Sequence, residues 1–234
     1  MSTLSGGPNI VVDGLVLALD AANTKSYVSG STIWNDLSRS NNNGTLINGP
    51  TFNTGSGGSI IFDGVDDFVS IDSNFSLNTN IGFTINLWFK LTSYSSTFPT
   101  LFTLKTTSAS SGLALLLTTN SSYSPLTFGW NGISYKPSTT ILTDIWNSVS
   151  ITYNGGGIST ISNFLFYING IPANLLRSGN FDGISQINTL GTLNSGTGNF
   201  WFNGNISQTL IYNRALSAQE VLQNYNANKT RFGL

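Results

Sequence analysis

Residues Ser59–Ile71, SIIFDGVDDFVSI, decide how this chain reads. Ile60, Ile61 and Phe62 make a short apolar run, and Phe68, Val69 and Ile71 resume it, with Ser70 interrupting. Between them Asp63-Gly64 signals a reversal, because glycine accepts a positive φ and aspartate bonds its own backbone. The stretch therefore predicts strand, tight acidic turn, strand, paired as a hairpin. Asp66 and Asp67 add two carboxylates to the same bend. Such closely spaced anions repel unless a cation or water sits among them.

The same rhythm spreads in both directions. Val11–Leu19 reads as a strand with an Asp13-Gly14 bend inside it. Phe83–Leu91, FTINLWFKL, alternates with period two: Phe83, Ile85, Leu87, Phe89 and Leu91 share one face, and Thr84, Asn86, Trp88 and Lys90 the other. Thr100–Lys105 and Gly112–Thr118 read as a strand pair. Leu126–Trp130, Ile133–Tyr135 and Trp146–Tyr153 continue the series. Phe164–Ile168 closes on Asn169-Gly170, the strongest local hairpin signal in the chain. Ile187–Leu190 and Asn199–Trp201 follow, and Asn203-Gly204 reads as a turn into the strand Ile206–Tyr212. One helix is expected: Ser217-Ala218-Gln219-Glu220 is a capping box, with Leu216 placed to staple onto Val221 and an end near Asn226–Asn228. Many short strands at about 8–12 residue spacing, one helix and no βαβ rhythm predict an all-β antiparallel sandwich.

Composition narrows the chemistry. The 234 residues fit one large β domain over residues 10–234, preceded by a flexible arm over residues 1–9. Only 8% of residues are charged and the net charge is −1. Nucleic acid and anionic membrane are therefore not expected partners, because both demand clustered Lys and Arg. Low charge also leaves packing against identical copies unopposed. The N-terminus does not read as a signal peptide. With His 0 and Cys 0, histidine-based triads, thiol nucleophiles and the common zinc sites are excluded. Glycoside hydrolysis needs two carboxyls about 5–10 Å apart across the scissile bond. Glu220 is the one glutamate, and the capping box already explains it. Asp66 and Asp67 are adjacent, and neighbouring strand residues point to opposite faces.

Five stretches together resemble a known family: GLVLALDAANTKSY (Gly14–Tyr27), SIIFDGVDDFVSI, FTINLWFK, FYINGIP (Phe166–Pro172) and GNISQTLIYNRALSAQEVLQNYNA (Gly204–Ala227). They resemble the laminin-G-like, concanavalin A-like lectin/glucanase domains, in the bacterial and bacteriophage version related to pentraxins. The resemblance covers about residues 11 to 228. It implies a jelly-roll of two curved antiparallel sheets, with the N- and C-terminal portions close together. The glucanases' Glu-x-Asp-x-x-Glu pattern is absent.

The resemblance also sets the functional expectations. The first is a non-enzymatic bacteriophage virion protein, decorating the capsid or forming a head fibre or tail appendage. Its partners would be other virion proteins, copies of itself and host-surface glycans, and it would assemble in the host cytoplasm. The alternative is a carbohydrate-binding module of a bacterial cell-surface protein, and a glycan hydrolase stands third. Such domains often hold calcium at a sandwich rim. Asp63, Asp66 and Asp67, with Asp20 and Asn23 as contributors, are the candidate oxygen ligands for Ca²⁺. The opposing reading is that Asp63 caps the turn and the others are solvated or bond backbone amides. Trp88, Trp130, Tyr135 and Trp201 are the candidates for stacking on sugar rings. The opposing reading is that they fill the core.

Overall fold

The computed structural model describes residues 9–72, 75–94, 98–107, 112–118, 126–130, 132–137, 141–157, 159–177, 187–193 and 200–234. Most of the expected N-terminal arm, residues 1–8, lies outside this set, as does Asn199 of the expected strand ending at Trp201. In chain order the strands are β1 (Leu15–Asp20), β2 (Ile33–Trp34), β3 (Gly44–Ile47), β4 (Thr51–Asn53), β5 (Ser59–Asp63), β6 (Phe68–Ile71), β7 (Phe83–Ser93), β8 (Thr100–Leu104) and β9 (Leu113–Leu117). They continue as β10 (Leu126–Trp130), β11 (Ile133–Pro137), β12 (Trp146–Tyr153), β13 (Phe164–Ile168), β14 (Ile171–Ala173), β15 (Leu175–Arg177), β16 (Thr189–Leu190) and β17 (Asn203–Tyr212). Helix α1 spans Ala218–Asn228, and a 3-10 turn over Lys229–Phe232 follows it.

Two sheets face each other, and every strand pair within them is antiparallel. One runs β14-β13-β12-β7-β17-β5-β4, with β1 also pairing β17. The other runs β15-β11-β10-β9-β8-β16-β6-β3-β2. The inward residues of β7, Phe83 to Leu91 at every second position, are fully buried against those of β8, β9 and β10. This is the core that the period-two reading anticipated.

The organising stretch, however, is not a hairpin. β5 pairs with β17 and β4 in the first sheet, whereas β6 pairs with β3 and β16 in the second. The acidic turn carries the chain across the edge of the sandwich. Both arms bury apolar side chains, Ile60 and Phe62 from β5 and Val69 and Ile71 from β6, and each arm finds its ladder in a different layer. Local sequence cannot separate a turn within a sheet from a turn between sheets. A second correction concerns Asn203-Gly204, which lies inside β17 and not in a turn. The register shifts between these two residues, and a Cβ on Gly204 would collide with the Lys90 carbonyl and the Phe202 ring. Glycine here serves close backbone approach.

The outward face of the first sheet is also covered. Tyr212, Leu210, Ala18 and Tyr167 join Val11, Leu216 and Val221 in a second small core beneath α1. The capping box forms as expected: the Glu220 N–H donates to Ser217 Oγ (3.3 Å), and the Ser217 N–H donates to Glu220 Oε2 (2.9 Å). Such a cap is worth about 1 kcal/mol. The first described residues meet the last elements, since the Val11 N–H donates to Asn224 Oδ1 (2.8 Å) and the Tyr212 hydroxyl donates to the Val11 carbonyl (2.9 Å). Among the described residues no helix is long and apolar enough to cross a membrane.

Candidate functional site

The inter-sheet turn is built by its own first residue. Asp63 Oδ1 accepts from the Val65 N–H (2.8 Å) and, at 3.4 Å, from the Asp66 N–H, while Gly64 turns with φ +79°. Asp67 Oδ2 accepts from the Asp63 N–H (3.1 Å), closing the loop on itself. Asn48, from the adjacent loop, donates its side-chain amide to the Asp66 carbonyl (3.0 Å). Asp63 and Asp66 are exposed, whereas Asp67 is 5% exposed. Burial pushes the Asp67 carboxyl up to about 6. The Asp63 backbone bond opposes the rise, and the neighbouring Asp63 and Asp66 charges add to it.

One oxygen from each of Asp63, Asp66 and Asp67 lies within 4.8 Å of the others. Two oxygens bound to one Ca²⁺ at about 2.3–2.6 Å can be no farther apart than about 5 Å, so the spacing suits a shared hard cation. Among the described residues no ion pair reaches these carboxylates: Arg214 pairs with Asp13 and Glu220, and Arg231 with Asp20.

Asp20 does not join this group. It sits opposite Gln208 on β17, while Asp63 sits opposite Asn203, roughly 15 Å away along the strand. Its carboxylate instead accepts from Arg231 Nη1 (2.9 Å), from Gln208 Nε2 (2.9 Å) and from the Ala22 N–H (3.0 Å). Arg231 also donates to the Ser56 carbonyl (2.9 Å) and to the Ser207 hydroxyl, so Asp20 helps to tie the C-terminal turn to β1. Asn23 bonds within its own loop, accepting from the Lys25 N–H (3.0 Å).

The aromatic candidates separate in the same way. Trp88 is 0% exposed because its indole stacks on Phe232 (4.2 Å) and Tyr225 (5.6 Å) beneath the C-terminal elements. Trp130 and Tyr135 lie in the main core against Phe164. These three have no free face for a sugar, which corrects the expectation that they form a stacking platform. Trp201 is half-buried and packs at 6.3 Å on Phe68, the residue after Asp67, so it alone of the four stands beside the acidic turn. At the far end of the sheet, where β7 begins and β17 ends, a concavity of about 430 Å³ opens among Val16, Asn42, Phe75, Ile81 and Asn213. No sequence signal marked it, because its lining comes from segments far apart in the chain.

A comparison with curated protein sequences finds no match. The chain is similar in structure to the binding domain of Paraclostridial Mosquitocidal Protein 1, at 18% identity and TM-score 0.64 over 91% of this chain and 52% of that one. It is similar to Trypanosoma rangeli sialidase in complex with sialic acid, at 15% identity and TM-score 0.62 over 97% of this chain and 36% of that one. The chain thus spans about half, or less, of the length of these proteins. It also matches domain 4 of AbnA, a GH43 extracellular arabinanase from Geobacillus stearothermophilus in complex with arabinotriose. That match has 18% identity and TM-score 0.57 over 92% of this chain and 100% of that one. At these identities the likeness shows a shared fold. The Laminin_G_3 family model, described as the concanavalin A-like lectin/glucanases superfamily, matches residues 63–222. With the two-sheet sandwich and its C-terminal helix, that match places the chain in the Laminin_G_3 family of concanavalin A-like lectin/glucanase domains.

Proposed function

We propose that this chain is a non-enzymatic attachment module that presents a lectin-like surface to glycans. The observation that carries the reading is the fate of Glu220. Arg214 clasps its carboxylate through Nη2 (2.6 Å) and Nη1 (3.0 Å), and the Ser217 N–H donates to it as well. The Arg214 bonds, followed by the Ser217 backbone bond, hold its pKa down at about 2. A general acid for glycoside cleavage needs the opposite shift, so that it carries a proton near neutral pH. The chain's one glutamate is therefore a helix cap. The chain has no His or Cys, and the carboxylates that cluster among the described residues, Asp63, Asp66 and Asp67, sit on a rim turn.

In this reading Asp63, Asp66 and Asp67 hold a calcium ion that neutralises the turn and stiffens the rim beside Trp201. The surrounding assembly is a bacteriophage virion, where a sparsely charged sandwich packs against copies of itself and against other structural proteins. That context rests on the resemblance of the sequence blocks and on the low charge. A carbohydrate-binding module of a bacterial cell-surface protein is the second reading. It is favoured by the arabinanase domain, which this chain matches along that domain's full length. Incubation with soluble polysaccharides, read by reducing-end release alongside glycan-array binding, tests the reading. Binding without product is expected; turnover that one aspartate substitution abolishes would overturn it. The ion is tested by thermal melting in calcium against chelator, where no shift at millimolar calcium rules out the site.

A further inference from the structure

The cleft at the end of the sandwich away from the acidic turn has the lining of a binding site. Asn203 and Tyr212, the two ends of β17, lie about 30 Å apart, so this cleft and the aspartate turn are separate places. Its volume of about 430 Å³ falls within the range of small-ligand pockets. The floor is apolar, with Phe75 and Phe83 buried, and Ile81 stands 49% exposed at the lip. Ser40, Asn42, Asn78 and Asn213 supply polar groups to the lining. Among the described residues no Asp, Glu, Lys or Arg lines it.

Both walls are held in place before any ligand arrives. Asp36, 8% exposed, accepts from the Ala18 N–H (2.8 Å), the Ser38 N–H (2.8 Å), the Ser38 hydroxyl (2.6 Å) and the Asn42 N–H (2.9 Å), which fixes the loop carrying Ser40 and Asn42. Asn42 donates its amide to the Val16 carbonyl (2.8 Å), leaving Oδ1 available as an acceptor. Across the cleft, Asn188 Nδ2 donates to the Phe75 carbonyl (2.7 Å), and Leu77 is bonded on both sides, to Lys105 and Thr107 at 2.9 Å each. Asn78 Oδ1 accepts from the Asn80 N–H (3.0 Å), leaving its amide N–H groups to donate.

We propose that this cleft is the glycan subsite and that its ligand is a short neutral oligosaccharide; the inference rests on the attachment reading above. A sugar ring offers C–H surface to an apolar floor and hydroxyls that both donate and accept, which carboxamide walls match. A carboxylate, sulfate or phosphate would enter with no cation to receive it and would lose its hydration uncompensated. Walls that are already fixed reduce the ordering cost of binding.

The test is titration calorimetry of the full chain with arabinotriose, cellotriose and maltotriose as neutral probes and sialyllactose as the anionic one. Wild type is expected to bind at least one neutral trisaccharide and to discriminate against sialyllactose. Asn42→Ala and Ile81→Asp should each weaken that binding at least tenfold, while Ile171→Asp, on the edge strand β14, leaves it unchanged. Asn42→Ala also removes a bond to the Val16 backbone; Ile81 is exposed, so Ile81→Asp reads the cleft without a folding penalty. Neutral-sugar binding that survives both substitutions overturns the cleft and leaves the attachment reading standing. Binding of sialyllactose alone overturns the cleft in the same way. No binding of any probe overturns the cleft, and a blank glycan array with calcium present extends that failure to the attachment reading.

Discussion

Replacing Asp67 by asparagine should make this protein more stable at neutral pH. The carboxyl is buried beside two other carboxylates and titrates near 6, against 3.8 for an unperturbed aspartate. Its folded-state pKa is raised, so the folded protein holds the proton more tightly than the unfolded chain does. The stability this confers is fully present below about 3.8 and is lost as pH rises through about 6. The rise from 3.8 to about 6, at about 1.36 kcal/mol per pH unit, sets a ceiling of about 3 kcal/mol. Water around the exposed Asp63 and Asp66 screens part of it, leaving about 1–2 kcal/mol. The introduced carboxamide can still accept from the Asp63 N–H through its oxygen, so the turn keeps its closing bond. For a chain of this size each kcal/mol moves Tm by about 2–4 °C. At pH 7.5 in chelator, Asp67→Asn should therefore melt roughly 2–8 °C above wild type. Between pH 7 and 4.5 the wild-type Tm should climb toward that of the variant. Calorimetric melts across that window are the assay. Wild-type and variant curves that run parallel, or a variant that melts lower at pH 7.5, would refute the argument. Calcium supplies a further check: if the ion binds, it stabilises the wild type at pH 7.5 more than the variant, in which one anionic ligand has become a neutral carbonyl.

Three further outcomes follow from the packing. Glu220→Ala should cost about 1–2 kcal/mol near neutral pH through loss of the cap and the Arg214 clasp. Because the Glu220 pKa is depressed, that stability is present above about 4.5 and lost as pH falls toward about 2, so the gap to wild type should close on acidification. Thr209→Val should stabilise by about 1 kcal/mol, because Thr209 lies opposite Leu87 and Leu19 with its hydroxyl buried and unpartnered, and denaturant titration reads the change directly. Gly204→Ala should destabilise by about 1–3 kcal/mol, since the new Cβ meets the Lys90 backbone and not a side chain that can swing away; an unchanged denaturation midpoint would show that β17 yields there.

Periodicity and capping are local physics, so the sequence alone determined much of the fold. The alternation of Phe83–Leu91 named the buried face of β7, Asn169-Gly170 named the β13–β14 hairpin, and the Ser217–Glu220 box named the start of α1. Composition alone likewise removes histidine and thiol chemistry. Only the tertiary structure decided which strands share a sheet. The bend after Asp63 looks the same whether its arms pair with each other or with distant β17 and β3, and the choice belongs to partners more than 100 residues away in the first case and about 20 in the second. Trp88 alternates as an outward residue should, yet it is sealed because Tyr225 and Phe232, from the far end of the chain, fold over it. Asp20 left the acidic group for Arg231, and Asn42, Ile81 and Asn213 came together, for the same reason: long-range packing sets which side chains become neighbours, and no short window of sequence carries that information.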